Sequence, residues 1–142
     1  WWSKPSADRY NAKARRLVAQ YNAYEPLPKV PIKGELTLGE NLGDLGGLEM
    51  AYAAYRQHVA RHGEAPVIDG FTGDQRFFIA YAQAWASKMR EATMRGRIAT
   101  DGHAPGQYRA LTVRNLDPWY AAFNVKPGDK LYLAPEKRVK VW

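Results

Sequence analysis

The chain contains no cysteine. That excludes disulfides and any metal site built on thiolates, and it says little about compartment. No apolar run approaches the ~18 residues needed to cross a membrane as a helix. There is no internal repeat and no low-complexity segment. There is also no basic stripe: the formal charge is +7, but the Lys and Arg are scattered, and the only dense run is Lys137-Arg138-Val139-Lys140. Without a stripe or a recognition motif, a solvated basic surface is expected and a nucleic-acid partner is not. The opening Trp1-Trp2-Ser3-Lys4-Pro5 has no initiator Met and is not a signal peptide. Two leading tryptophans are expected to sit against a core that lies upstream, as in a chain cut from something longer.

What is present is enough apolar side chain for a core. Hydrophobic residues make up 46% of the 142, with five Trp, nine Tyr and four Phe. Disorder is therefore not expected, and residues 1–142 read as a single unit of one-domain size. Residues 6–24 repeat Tyr10, Ala14, Leu17, Val18 and Tyr21 at helical spacing, with Ser3 or Ser6 as cap and Pro5 in the first turn. Pro26, Pro28 and Pro31 make residues 25–36 an extended connector. A second helix is expected from Thr37 to about residue 62, ended by Gly63. A third is expected over 74–91, with Phe77, Phe78, Tyr81, Ala82, Trp85 and Met89 as its apolar face. Residues 92–105 start basic and become a loop. Two short helices follow over 107–114 and 117–124, the second capped by Asp117 with Pro118 at its first position. The terminal Trp142 predicts a tail that packs back on the body.

The stretch Thr37 to Gly47 carries the chemistry. Glu40 and Asp44 are four residues apart, so on a helix both carboxylates point at one site. Gly43, Gly46 and Gly47 each disfavour helix by up to ~1 kcal/mol against Ala, so they call for a packing or site reason. A rival reading takes Thr37 and Glu40 as a capping box, which would leave Glu40 only a backbone N–H to satisfy. His58 and His62 share the spacing of a zincin pair, but Val59 stands where the general-base Glu belongs. They are expected to be solvent-exposed. Asp101 and His103 lie two apart in a loop, where the carboxylate can hold the ring.

These blocks together resemble one family. Glu40-Asn41-Leu42-Gly43-Asp44-Leu45-Gly46-Gly47 is similar to the E-N-x-x-D-x-G-G motif of the neprilysin-like (M13) zinc endopeptidases. Phe77-Phe78 with Ala82-Gln83-Ala84-Trp85 resembles their F-F…A-Q-x-W block. Thr100 to Arg109 resembles their D-x-H-x-P-x-x-x-R block, and Val139 to Trp142 their terminal segment. The blocks occur in family order. The resemblance implies a mainly α fold, the C-terminal helical portion of a thermolysin-like (gluzincin) catalytic domain. It implies that Glu40 is the third protein ligand of a catalytic Zn2+ and that Asp44 receives the N–H of a zinc-bound histidine. It implies that His103 stabilises the oxyanion, with Asp101 orienting it and keeping it protonated. It implies that Arg109 donates to a substrate carbonyl, and that Ala84 and Trp85 line the pocket for the residue after the scissile bond.

The chain departs from the family pattern in two ways. It holds no H-E-x-x-H segment, so the remaining ligands, the general base and the large N-terminal lobe must come from a partner, the N-terminal part of the same peptidase. The isolated chain is expected to be inactive, and the complete enzyme to cleave small peptides. The missing cysteine departs from animal members and favours a bacterial-type one. The resemblance points to a periplasmic or extracellular setting, with a cytoplasmic one left open. Two other readings stay open: a basic helical binding module, and an inactive accessory fragment.

Overall fold

The computed structural model describes residues 1–141. Six α-helices and two 3-10 turns follow one another, and among the described residues the β contacts are isolated bridges: Leu27 with Val30, and Ile68 with Phe71. The mainly α expectation holds. Among the described residues no helix is long and apolar enough to cross a membrane.

Helix α1 spans Lys4–Asn22. Ser3 caps it by accepting the Ser6 N–H at 3.4 Å, and Pro5 sits in the first turn, where its missing N–H costs nothing. Its buried face is Ala14, Leu17 and Tyr21, the helical spacing seen in the sequence. The Tyr21 hydroxyl bonds Thr112 Oγ1 at 3.0 Å, and burial pushes this phenol well above its ordinary pKa.

Helix α2 spans Gly34–His62 and carries the Glu40–Asp44 stretch. It begins three residues before the expected Thr37. The reason is a contact with α1: the Gly34 N–H donates to Asn22 Oδ1 at 2.6 Å. A Cβ on Gly34 would lie 2.4 Å from the Val18 carbonyl oxygen, so only glycine permits this approach. Thr37 is therefore inside the helix. Its hydroxyl donates to Lys33 O at 3.3 Å and accepts from Asn41 Nδ2 at 2.8 Å. The Thr37–Glu40 capping box does not form, and Glu40 is left for other work. At the far end Gly63 (φ 87°) stops the helix, with its N–H on Val59 O at 2.7 Å. His58 and His62 are exposed there, their rings stacked at 4.2 Å.

The capping box the sequence does encode lies elsewhere. Thr72 accepts the Gln75 N–H at 3.2 Å, and Gln75 Oε1 accepts the Thr72 N–H at 2.9 Å. Together they open α3, Gly73–Ala84. The helix expected over 74–91 ends early, at Ala84, and most of a separate helix, α4 (Glu91–Thr100), falls in the stretch 92–105 that was expected to start basic and become a loop. Gly106 lies against this break: a Cβ there would stand 2.5 Å from Trp85 O. The segment after His103 thus passes directly over the end of α3.

Helix α5 (Gly106–Ala110) runs into a 3-10 turn over Leu111–Asn115, and α6 spans Asp117–Phe123. Asp117 does not cap α6, since the N-cap is Leu116 without a side-chain bond. Instead it accepts from Arg138 Nη1 at 2.7 Å and Lys140 Nζ at 2.5 Å. This clamps the tail, whose Val139 and Val141 are buried and whose Val139 N–H donates to Asn115 Oδ1 at 2.9 Å. The tail thus packs on the body up to Val141, and Trp142 lies outside the described residues. Lys140 first and Arg138 next hold the Asp117 carboxyl below its usual range. A depressed carboxylate adds stability above its unfolded pKa of about 3.9 and loses it as pH falls further. Asp117→Asn is therefore expected to lower the melting temperature at pH 7, with the gap to the parent protein closing below pH ~4. Melting curves across pH test this, and a gap that persists in acid would contradict it.

The core joins both ends of the chain. Leu17 and Tyr21 of α1, Leu45 and Leu48 of α2, Phe78 of α3, Trp119 and Tyr120 of α6 and Val139 of the tail pack together. This sets α2 as the central rod, with its first half flanked by the segments that bear His103 and Arg109.

Candidate functional site

On α2, Glu40 and Asp44 share a face, as the i, i+4 spacing requires. Their surroundings differ. The Asp44 side chain is 8% exposed and the Glu40 side chain 46%. Arg109, from α5, joins them. Its Nε donates to Asp44 Oδ2 at 2.7 Å and its Nη2 to Asp44 Oδ1 at 2.7 Å. The same Nη2 reaches Glu40 Oε2 at 3.3 Å. A two-point fork of this kind is the strongest form of an Arg–carboxylate pair, and it raises the guanidinium pKa. Arg109 is fixed from two further sides. Its guanidinium carbon stands 4.0 Å from the Trp85 ring centroid, and its carbonyl accepts the Tyr81 hydroxyl at 3.1 Å.

His103 completes the cluster. Its Nε2 lies 3.2 Å from Glu40 Oε2, and its Nδ1 lies 2.7 Å from Asp101 Oδ1. The same Asp101 oxygen accepts the His103 backbone N–H at 2.9 Å. A carboxylate only accepts, so the Nδ1 contact places a hydrogen on Nδ1 and turns Nε2 outward. The other Asp101 oxygen takes Arg97 Nε at 2.7 Å. Contacts with the His103 ring, the His103 N–H and Arg97, in that order, hold the Asp101 carboxyl well below the usual carboxylate range.

The structure thus brings five of the sequence-selected residues into one chain of contacts: Asp101, His103, Glu40, Arg109 and Asp44. Trp85 joins them as the platform under Arg109. Ala84 is exposed at the end of α3. Sequence reasoning missed Arg97 and Tyr81 as members. Arg97 could have been found as the i, i+4 partner of Asp101 had α4 been recognised. Tyr81 had been placed in the core for its spacing, and its hydroxyl carried no sequence signal.

Beside this cluster α2 shows an open ridge. Gly39, Gly43 and Gly47 are exposed at i, i+4 and i+8, and a Cβ at any of them would meet nothing within 4 Å. With Leu42, Met50 and Ala53 they form an apolar groove one stripe over from Glu40 and Asp44. The three glycines are therefore not explained by packing inside this chain.

Among the described residues no group of three or more His, Asp or Glu is arranged to hold an ion. What fits is one ligand: a half-exposed carboxylate on an open face, backed by an ordered Asp one turn on.

Comparison with known proteins identifies the family of the chain. Residues 1–139 match the model of Peptidase family M13. Human endothelin-converting enzyme-like 1 is 37% identical over 145 residues, covering 100% of this chain and 18% of its own length. Human neprilysin is 33% identical over 147 residues, covering 100% of this chain and 19% of itself. The Mycobacterium tuberculosis zinc metalloprotease ZMP1, solved in complex with an inhibitor, superposes with a TM-score of 0.96 at 42% identity, covering 100% of this chain and 22% of that one. The chain spans about a fifth of the length of these relatives. It therefore belongs to peptidase family M13, the neprilysin-like zinc metallopeptidases, as an all-helical segment matching the C-terminal part of their peptidase domain.

Proposed function

We propose that this chain is the part of a zinc-dependent endopeptidase that supplies Glu40 as the third protein ligand, with the other two ligands and the general base on an H-E-x-x-H helix upstream. The observation that carries the proposal is the pairing on α2. Glu40 is half exposed beside a bare glycine ridge, while Asp44, one turn on, is nearly buried and held in place. A zinc-bearing helix laid along Gly39, Gly43 and Gly47 would approach both carboxylates closely. The N-terminal part of the same peptidase is thus the partner, and small peptides are the substrates. A periplasmic or extracellular setting belongs to the same proposal.

Zinc, when bound, polarises the scissile carbonyl and activates a water. The chain's own residues do the rest. Asp44 has lone pairs beyond those Arg109 uses, so it can also accept the N–H of a ligating imidazole and fix that ring. Arg109 spends Nε and Nη2 on carboxylates and keeps Nη1 to donate to a substrate carbonyl. His103, with Nδ1 committed to Asp101, presents Nε2 to an oxyanion forming near Glu40. Asp101, on the far side of the ring, holds it in that direction. Ala84 and Trp85 would line the adjoining pocket.

The direct test is reconstitution. The chain alone is expected to retain no zinc on equilibrium dialysis and to cleave no peptide. Joined to the H-E-x-x-H-bearing remainder, it is expected to hold one zinc per molecule and cleave small peptides. Tight zinc binding by the chain alone would contradict the proposal.

A further inference from the structure

Arg97 stands in the last turn of α4, outside the residues given roles above. Its Nε donates to Asp101 Oδ2 at 2.7 Å, and its Nη2 lies 2.5 Å from the same oxygen. The other oxygen, Oδ1, takes both His103 contacts. The two carboxylate oxygens therefore have separate partners. The terminal torsion of an Asp is broad and two-fold, so nothing in Asp101 itself keeps Oδ1 on the imidazole. The guanidinium on Oδ2 removes that freedom. The end of α4 is also tied to α2. Lys33, the residue before α2, donates from Nζ to Ala99 O at 2.8 Å. The path from Arg97 through Asp101 and His103 to Glu40 thus starts and finishes on segments fixed to α2.

As a stabilising pair the contact would contribute little. Arg97 is 49% exposed, and ion pairs at i, i+4 on an exposed helix surface are screened by water and add little to stability. We propose that Arg97 is a positioning residue of the peptidase, acting through Asp101 to set the direction of the His103 imidazole. This rests on the reading of His103 as the oxyanion donor. The side-chain contacts of Arg97 are with Asp101, so its route to His103 runs through that carboxylate.

The experiment compares Arg97→Met, Arg97→Lys, His103→Ala and the Arg97→Met/His103→Ala double variant in the complete peptidase, with a crystal structure of Arg97→Met. Arg97→Met is expected to lower kcat roughly 10-fold, the lower end of what losing an outer partner costs. KM, zinc content and melting temperature should stay near those of the parent. Arg97→Lys, which restores a cation to Oδ2, should recover part of the loss. In the His103→Ala background Arg97→Met should do nothing more, since its route is gone. The structure of Arg97→Met should show the Asp101 carboxylate turned off Nδ1. An unchanged kcat, a full additional loss in the double variant, or an Asp101 carboxylate that keeps its place would each overturn the proposal. If His103→Ala leaves kcat intact, the oxyanion reading itself fails, and the Asp101 torsion alone then decides whether Arg97 positions the ring.

Discussion

Glu40→Gln in the complete peptidase is expected to remove most of the bound zinc and, with it, peptide cleavage. The change is nearly isosteric and keeps the length of the side chain, so α2 should fold as before. What is lost is the negative charge on the donor oxygen. Zinc sites are built from ionised carboxylate, imidazole and thiolate, and in the proposed site Glu40 is the ligand this chain offers. Removing an outer partner of a ligand costs about 10–100-fold in metal affinity or activity, so losing the ligand's charge should cost more than ~100-fold. Glu40 also accepts from His103 and Arg109, and an amide oxygen can still do so weakly. The cluster should therefore persist while the metal leaves. Metal content of dialysed protein, read beside activity at saturating zinc, checks this. Normal zinc content in Glu40→Gln would take Glu40 out of the coordination sphere.

His103→Ala is the second large effect. A donor aimed at a developing oxyanion contributes in the transition state and little before it, so kcat should fall roughly 10²–10³-fold with a much smaller rise in KM. Zinc content should hold, because His103 is not a ligand in this reading. The geometry supports a donor role. Nδ1 is committed to Asp101 at 2.7 Å, and Nε2 stands 3.2 Å from Glu40 Oε2, so the outward nitrogen already lies beside the oxygen assigned to the metal. Steady-state kinetics on a small peptide give the answer. A rise in KM with kcat unchanged would make His103 a binding residue instead.

Much of this was legible in the sequence, for identifiable reasons. The buried face of α1 and the Glu40–Asp44 pairing depend on a period of 3.6, which spacing displays directly. The family blocks, read in order, pointed to the fold that the structural match then supported. Other features were not legible because they are made by distant residues. The start of α2 is set by Gly34 meeting Val18 and Asn22 of α1, so a plausible cap at Thr37 was overridden by packing. The break between α3 and α4 carries no Gly or Pro, and it lies where Gly106 crosses Trp85. Arg109 finds Asp44 across 65 positions of chain, and no local pattern announces that. Asp117 looked like a cap and serves as an anchor, because Arg138 and Lys140 arrive from the tail. The glycine ridge remains the feature that this chain's own packing leaves unexplained, and it is where the proposed partner helix would lie.

The most direct measurement is a crystal structure of the complete, zinc-loaded peptidase with anomalous data at the zinc edge. A Glu40 carboxylate oxygen is predicted about 2.0–2.2 Å from the zinc peak, with two histidines from the upstream helix beside it and Asp44 on one of them. A zinc fully ligated without Glu40, which then stays on His103 and Arg109, would contradict the proposal.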